Sequence, residues 1–456
     1  MNYDAIVIGS GQAGNPLSQK LADQGWTVAL IEQDQVGGTC INTGCSPTKT
    51  MVASAQVAHY ARHAAKWGVH TGDVTIDMQK VVARKERIVS QFRSGQESKI
   101  ASRPNLHLHR GQARFLDPHR IAVGNVELAA AHIFINTGTR PVIPALDGLD
   151  RIAYLTNASI MQLTEVPRHL LVLGGGYIGL EFGQMFRRFG SEVTVIQRGP
   201  QILPLEDEDI ASELQKILEA EGMRFLTKAA ARGIIQENGQ LTLTLDSPAG
   251  SATLLGTHLL VATGRRPNSD ALGLENTAIK LDARGFIKVN NRLETGEPGV
   301  WALGDVKGGP AFTHISYNDF QIIYANLVEK KGLSTDNRPV PYSVFTDPQL
   351  GRVGMTEKAA RDAGRRLKIG KIPMTWVARA LERDETAGLM KIVVDAETDR
   401  ILGAAILASE GGELVQILGT LMLTGAPYTL LKGAVYIHPT LAEGLFALMD
   451  AVQPVK

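Results

Sequence analysis

The chain lacks the features that mark several common classes of protein. It has two cysteines in 456 residues, too few for a secreted fold built on several disulfides. Its 47 Lys and Arg against 46 Asp and Glu argue against a surface for nucleic acid or anionic lipid. No apolar run is long enough to cross a bilayer, and Met1-Asn-Tyr-Asp4 leads directly into a predicted strand without a signal peptide. We therefore predict a cytoplasmic protein with no membrane or nucleic-acid partner.

The two cysteines, Cys40 and Cys45, are separated by four residues. A disulfide across so short a loop removes little entropy from the unfolded chain, so a purely structural bridge is disfavoured. A lone thiol pair in a chain without an export signal more often does chemistry, and two unrelated buried cysteines are the alternative that the spacing leaves open. Ser46 and Pro47 predict an N-cap and a first helical position, for a helix that runs toward Ala65. That places Cys45 at a helix N-terminus, where the dipole lowers the pKa of a thiol.

A dinucleotide-binding pattern occupies the first 32 residues. A short apolar strand at 5–8 is followed by glycines, an amphipathic helix, a second strand at 28–31 and then Glu32. Glycines allow the backbone to approach a pyrophosphate, the helix N-terminus favours its negative charge, and the acid accepts hydrogen bonds from ribose hydroxyls. The glycines of the pattern are Gly9, Gly11 and Gly14.

A second copy of the pattern begins with an apolar strand at 170–173 and a helix from Leu180. Its second strand, 193–196, ends in Gln197 and Arg198 where the first copy has an acid. An acid there would repel a 2′-phosphate, so glutamine with arginine favours NADPH over NADH. An ordinary surface arginine is the alternative. The glycines are Gly174, Gly176 and Gly179.

In the remaining segments, predicted strands end in residues suited to cofactor binding, and the C-terminal part has a different pattern of strands and helices. Strands before Thr137-Gly138 and Thr263-Gly264 close the two nucleotide units, and another at 300–304 ends in Asp305, which suits a sugar or ribitol hydroxyl. A helix is predicted at 81–100 and strands over 106–128, where His107 and His109 share one strand face and form no metal site. After a polar linker at 330–341, strands at 345–348, 391–394 and 401–406 alternate with helices.

These motifs, with the terminal His-Pro-Thr-x-x-Glu at 438–443, resemble the class I pyridine nucleotide–disulfide oxidoreductases, which include glutathione reductase, dihydrolipoamide dehydrogenase and mercuric ion reductase. The stretch 308–320 is most similar to the mercuric-reductase-like branch, which includes reactive-chlorine-resistance and cupric reductases. The resemblance implies an α/β fold with two Rossmann-like dinucleotide-binding domains, for FAD and NAD(P), and a C-terminal α+β dimerisation domain. The implied limits are 1–149 and 271–337 for the two parts of the FAD-binding domain, 150–270 for the NAD(P)H-binding domain and 338–456 for the dimerisation domain.

The resemblance also assigns roles to residues. FAD would be bound by Gly9, Gly11, Gly14, Glu32, Thr39, Lys49, Thr137, Gly138 and Asp305. NADPH, with NADH as the alternative, would be bound by Gly174, Gly176, Tyr177, Gly179, Gln197, Arg198 and Gly264. The implied catalytic residues are Cys40, Cys45, Lys49, Glu181, His438 and Glu443. No metal ligands are predicted.

The implied reaction carries electrons from NADPH through FAD to a Cys40–Cys45 disulfide and on to a small disulfide substrate. Cys45 would be the thiolate facing the flavin and Cys40 the thiol that attacks the substrate. His438, oriented by Glu443, would act as base on Cys40 of the other subunit of a homodimer. The alternative acceptor is a soft metal ion, Hg(II) or Cu(II), or a quinone, although the chain lacks the C-terminal cysteine pair of mercuric reductases. A dihydrolipoamide dehydrogenase is less favoured because Tyr436 stands where those enzymes have histidine, and a non-catalytic redox sensor is less favoured still.

Overall fold

The structure is a computed structural model and describes residues 1–455. The first part of the chain forms four helices and seven strands. The helices are α1 (Gly14–Asp23), α2 (Gly38–Asn42), α3 (Cys45–His63) and α4 (Met78–Ala101). The strands are β1 (Asn2–Ile8), β2 (Val28–Glu32), β3 (Leu106–Arg110), β4 (Ala113–Asp117), β5 (Arg120–Val123), β6 (Val126–Ile135) and β7 (Thr139–Pro141).

The middle of the chain contributes three helices and nine strands. The strands are β8 (His169–Leu173), β9 (Glu192–Gln197), β10 (Arg224–Thr227), β11 (Ala230–Glu237), β12 (Gln240–Ser247), β13 (Gly250–Gly256), β14 (His258–Val261), β15 (Arg265–Pro267) and β16 (Val300–Ala302). The helices are α5 (Tyr177–Phe189), α6 (Glu208–Ala220) and α7 (Thr313–Leu327).

The last part of the chain forms the remaining elements. The strands are β17 (Tyr342–Val344), β18 (Gln349–Gly354), β19 (Leu367–Pro373), β20 (Leu389–Asp395), β21 (Ile401–Ala408) and β22 (Gln453–Pro454). The helices are α8 (Glu357–Asp362), α9 (Ala378–Glu382), α10 (Gly411–Thr424), α11 (Thr429–Lys432) and α12 (Gly444–Asp450). Short 3-10 helices lie at Ala64–Trp67, Leu149–Arg151, Ser159–Gln162, Leu274–Asn276, Gly304–Lys307 and Met374–Trp376.

The first sheet has the strand order β3-β2-β1-β6-β5-β4, and β16 pairs with β6. Pairing is parallel among β3, β2, β1, β6 and β16 and antiparallel for β4 and β5. The stretches 5–8 of β1 and 28–31 of β2 are apolar and buried, because one face of the sheet packs on α1 and α7 and the other on β4, β5 and the segment around Leu274. Leu17 and Leu21 of α1 pack with Leu30 of the sheet and Phe320 of α7.

The second nucleotide unit repeats this plan on a smaller scale. Its sheet is parallel, in the order β10-β9-β8-β14. The apolar side chains of α5, Phe182, Met185, Phe186 and Phe189, lie in the largest core cluster of the molecule. An antiparallel β11-β12-β13 sheet flanks the unit.

The C-terminal part is an antiparallel sheet in the order β17-β18-β21-β20-β19-β22, with α10 packed through Leu414, Val415 and Leu418 against it. The predicted fold class is therefore confirmed: two Rossmann-like units and a C-terminal α+β unit. The domain limits given above stay a prediction. Within residues 1–455 no helix is long and apolar enough to cross a membrane.

Two local predictions are wrong. The segment 345–348 is a bend between β17 and β18 and not a strand, because its backbone bonds to side chains of α5. The Phe345 amide donates to Glu181 Oε1 at 2.9 Å, and the Asp347 amide donates to Gln184 Oε1 at 2.8 Å. The predicted N-cap at Ser46 is also wrong, since α3 begins at Cys45 with Gly44 as its cap.

Candidate active site

The two thiols lie on consecutive helices. Cys40 belongs to the short helix α2, which the sequence did not predict, and Cys45 is the first residue of the 19-residue helix α3. The first helical bond of α3 runs from the Thr48 amide to the Gly44 carbonyl, 3.1 Å, so Pro47 falls in the first turn, where its missing N–H costs nothing. The predicted position of Cys45 at a helix N-terminus is thus confirmed, one residue before the predicted cap.

The two thiols are electrostatically unequal. Both are free, and each shifts the pKa of the other. The hydrogen bond from Cys40 lowers the pKa of Cys45 to about 6, and Thr313 and the Lys49 charge act in the same direction against burial. The same bond and burial raise the pKa of Cys40. Cys45 is therefore the more acidic thiol of the pair.

Thr313 is a site residue that the sequence reasoning missed. Its hydroxyl oxygen lies 3.2 Å from Cys45 Sγ, and it is the first residue of α7. A thiolate accepts the hydroxyl hydrogen, and the N-terminal ends of α3 and α7 both favour its negative charge. The only sequence signal was its position within the stretch 308–320, which resembles the mercuric-reductase-like branch.

Lys49 and Glu181, two of the implied catalytic residues, form an ion pair. Lys49 Nζ lies 2.6 Å from Glu181 Oε2, and it also sits 4.6 Å from the centre of the Phe345 ring. Glu181 is buried, with 4% of its side chain exposed, and its other oxygen accepts the Phe345 amide. A fixed cation is thus held one turn along α3 from Cys45.

One cavity of about 1030 Å³ connects these residues to the first glycine loop. Its volume suits a large cofactor. It is lined by the site residues Gly9, Gly11, Glu32, Thr39, Cys40, Cys45, Lys49, Thr137, Gly138, Tyr177, Glu181, Asp305 and Thr313.

The glycine loop fits a dinucleotide phosphate. A Cβ on Gly9, where φ is +99°, would lie 2.4 Å from the Asn136 carbonyl oxygen, and one on Gly14 would lie 2.1 Å from the Gly9 carbonyl oxygen. Gly174 and Gly179 repeat both contacts, at 2.4 Å from the Ala262 oxygen and 2.1 Å from the Gly174 oxygen. The two predicted loops therefore share one geometry, in which larger residues would push the helix away from the strand.

Two acidic residues of the first unit, Glu32 and Asp305, also line the cavity. Glu32 accepts the Ser10 hydroxyl at 2.6 Å and the Ser10 amide at 3.0 Å, which orients its carboxylate at the sheet edge. A carboxylate has lone pairs left for a ribose hydroxyl. Burial raises the pKa of Asp305, which accepts the Thr139 hydroxyl at 3.2 Å. These residues fit the adenosine and ribitol ends of FAD.

Asn136 is a second residue that the sequence reasoning missed. Its Oδ1 accepts the Gly14 amide at 2.9 Å, and its Nδ2 donates to the Leu303 carbonyl at 2.8 Å. It therefore ties the glycine loop, β6 and the segment before Asp305 together. In the sequence, the one sign of this role is that Asn136 is a polar residue directly after the apolar run 133–135.

The predicted nucleotide residues are arranged around the second loop. Gln197 Oε1 accepts the Gly175 amide at 3.0 Å, while Arg198 is exposed. Gly264 has φ of +125°. Tyr177, the first residue of α5, reaches the large cavity, and the others, Gly174, Gly176, Gly179, Gln197, Arg198 and Gly264, lie outside its lining.

His438 and Glu443 form a pair away from the thiols of their own chain. The His438 Nδ1 atom lies 2.9 and 3.1 Å from the two carboxylate oxygens of Glu443, and neither residue lines the cavity. The His438 side chain is 67% exposed, beside Val435 and Ile437, which are 100% and 79% exposed. The structure does not bring His438 to Cys40 within one chain.

Comparison with known proteins decides the family. The profile described as "Pyridine nucleotide-disulphide oxidoreductase" matches residues 3–319, and that of its dimerisation domain matches residues 340–448. The chain belongs to the pyridine nucleotide–disulfide oxidoreductase family. Members of this family are oxidoreductases that depend on FAD and a pyridine nucleotide, and the dimerisation domain indicates a homodimer.

Relatives fall in several branches of the family. The chain is 38% identical to the probable pyridine nucleotide-disulfide oxidoreductase RclA of Escherichia coli strain K12, covering 99% of both chains. It is 36% identical to a dihydrolipoyl dehydrogenase of Thermus scotoductus, and the match covers 99% of this chain and 97% of the relative. It is 32% identical to a mercuric reductase of Lysinibacillus sphaericus, and that match covers 97% of this chain and 81% of the relative. The solved HOCl-induced flavoprotein disulfide reductase RclA from Escherichia coli superposes with a TM-score of 0.90 at 38% identity, covering 99% of this chain and 100% of that one. The predicted resemblance and enzyme class are thereby confirmed.

Proposed function

We propose that this flavoprotein passes electrons from NADPH to the Cys40–Cys45 pair and on to a small disulfide. The observation that carries this is the unequal thiol pair, with Cys45 at two helix N-termini in the cavity that also holds the first glycine loop. FAD would be held by Gly9, Gly11, Gly14, Glu32, Thr39, Lys49, Thr137, Gly138 and Asp305. When bound, the flavin takes a hydride from the reduced nicotinamide and delivers two electrons to a disulfide.

The thiols then do the chemistry on the substrate. Two electrons and one proton convert the Cys40–Cys45 disulfide to a Cys45 thiolate and a Cys40 thiol. Cys40 loses its proton to a base and attacks one sulfur of the substrate, and the other sulfur leaves and takes up the proton. The Cys45 thiolate next attacks Cys40 in the mixed disulfide, which restores the Cys40–Cys45 disulfide and expels the second thiolate.

We assign the base to the other subunit. Because the pKa of Cys40 is raised, attack needs a proton acceptor, and an imidazole has a suitable pKa. Glu443 accepts the Nδ1–H of His438, which leaves Nε2 free to take a proton. The exposed His438, among exposed apolar residues of the dimerisation domain, supports a role as the base for the other subunit's Cys40.

NADPH is the proposed donor. The side chain of Gln197 already accepts a hydrogen bond from the Gly175 amide of the glycine loop. The exposed guanidinium of Arg198, the next residue, therefore remains to bind a 2′-phosphate. The test is an anaerobic titration of the purified flavoprotein with NADPH and, separately, NADH. A long-wavelength absorbance band that appears with NADPH and is lost in Cys45→Ser supports the proposal. Flavin bleaching without that band would contradict it.

A soft metal ion is the second candidate acceptor. It is supported by a solved relative, the Cu(II) complex of RclA from Escherichia coli, with a TM-score of 0.91 at 38% identity, and by the mercuric reductases among the relatives. Such an ion would be a substrate at the thiols, since thiolate sulfur suits Hg(II) and the Cu(I) that one-electron reduction of Cu(II) yields. Steady-state assays with Cu(II) and with small disulfides, each in parent and His438→Ala protein, separate the two, because metal reduction releases no thiol that needs a proton.

A further inference from the structure

Three aromatic rings stack face to face on one wall of the cavity. The Phe312 ring lies parallel to that of Tyr342, with centroids 5.1 Å apart and planes 9° apart, and parallel to that of His314, 5.5 Å and 9°. All three residues line the cavity. They take no part in the thiol chemistry proposed above.

The middle ring belongs to the cap of α7. Phe312 is the N-cap residue, its carbonyl accepts the Ser316 amide at 3.0 Å, and Thr313 follows it. The direction in which Phe312 enters the helix therefore sets where the Thr313 hydroxyl points.

Residues 341 and 342, at the edge of the C-terminal sheet, hold this cap from outside. The His314 ring donates from Nε2 to the Pro341 carbonyl at 2.5 Å. The Tyr342 hydroxyl donates to the carboxylate of Glu206, which is buried and lies 3.7 Å from Arg352. Tyr342 thus has its hydroxyl anchored while its ring face covers Phe312.

We propose that Tyr342 is a positioning residue for Cys45: its ring, stacked on Phe312, fixes the first turn of α7 and so holds the Thr313 hydroxyl against the Cys45 sulfur. This rests on the proposed function, in which Cys45 is the thiolate. These contacts are continuous. Tyr342 stacks on Phe312, the backbone joins Phe312 to Thr313, and the Thr313 hydroxyl lies 3.2 Å from the Cys45 sulfur. The stacked ring, and not its hydroxyl, does the positioning.

The test keeps every charge around both residues. Lys49 and Glu181 are the charged groups that act on Cys45, and Glu206, Asp207 and Arg352 are those that act on Tyr342. In a Cys40→Ser background, the flavin-loaded protein has one thiol, whose thiolate is followed through its long-wavelength absorbance as pH is varied. We expect Tyr342→Leu to raise the titration midpoint by about one pH unit, a tenfold change in acid constant, since a hydrogen bond to a charged group is weakened.

Two variants serve as controls. Tyr342→Phe keeps the stack and should keep the midpoint within about 0.3 pH units of the parent, well under the cost of a lost hydrogen bond. Tyr154→Leu removes a tyrosine from the core beside β8 and β14, outside the cavity lining, and should leave the midpoint unchanged.

The outcomes are distinct. A Tyr342→Leu protein that titrates like its parent would overturn the inference and leave the proposed function intact. A parent without any thiolate band would overturn both. If Tyr342→Leu does not retain flavin, Phe312→Leu removes the same stack from the other side. The same upward shift is expected there, and an unchanged midpoint overturns the inference.

Discussion

Cys45 Sγ lies 3.2 Å from Thr313 Oγ1, although the two residues are 268 positions apart along the chain. Each is the first residue of a long helix, so the sulfur faces two helix N-termini and one hydroxyl. All three favour the thiolate.

Replacing Thr313 tests this arrangement directly. Thr313→Val keeps the shape and removes the hydroxyl, and we expect the pKa of Cys45 to rise from about 6 by about one unit, the value of a hydrogen bond to a charged group. Because the pKa is depressed in the folded protein, the thiolate is present above about pH 6 and is lost as pH falls through it. The measurement is the pH titration of the long-wavelength band after reduction. Thr313→Ser should restore the parent curve, and an unchanged curve in Thr313→Val would show that Thr313 does not stabilise the thiolate.

Local sequence patterns predicted much of this protein, and contacts between distant segments set the rest. Gly9, Gly14 and Glu32 were predictable because strand, turn, helix and acid lie within 32 consecutive residues. The Cys45–Thr313 contact was not, since no local pattern reports a contact across 268 residues. Phe345 was wrongly predicted as strand because its amide bonds to Glu181, a partner that only the packing of α5 provides.

The Lys49–Glu181 pair should tune the same thiolate in opposite directions. Lys49 lowers the pKa of Cys45 and Glu181 raises it. We therefore expect Lys49→Met to raise the midpoint of the thiolate titration and Glu181→Gln to lower it, each by roughly half to one unit. Glu181→Gln keeps an oxygen for the Phe345 amide.

The double variant is the control for this pair. Lys49→Met with Glu181→Gln removes both charges, so its midpoint should lie between those of the single variants and near the parent. Shifts of the same sign in both single variants would show that packing around α3, and not charge, controls Cys45.

Arg198 should discriminate between the two nucleotides. Its exposed guanidinium follows β9, and loss of a phosphate contact at an exposed site should raise the KM for NADPH about tenfold in Arg198→Ala. The KM for NADH should stay nearly constant. Arg224→Ala is the matched control, since Arg224 is exposed at the opposite end of the adjacent strand β10. Equal effects of Arg198→Ala on both nucleotides would argue against a 2′-phosphate contact.

Mixed dimers can show whether His438 serves the other subunit. Cys40→Ser and His438→Ala homodimers should both be inactive with a disulfide substrate; loss of a general base costs about 10²–10⁴ in rate. In a dimer of one Cys40→Ser subunit and one His438→Ala subunit, the second subunit's intact thiols face the first subunit's intact histidine. If the base acts across the interface, this mixed dimer regains one complete site and about half of the parent turnover per dimer, as expected for one of two equivalent sites.

The opposite result has an equally definite meaning. If His438 acted within its own chain, each subunit of the mixed dimer would carry one defect and no activity would return. The exposed His438–Glu443 pair, outside the cavity that holds Cys40, predicts recovery. Differently tagged subunits, co-expressed and purified through both tags, provide the sample, and a dimer of two His438→Ala subunits carrying the same tags provides the baseline. Recovery above that baseline requires the histidine of one subunit to reach the thiols of the other, so dimer formation would then be a condition for catalysis.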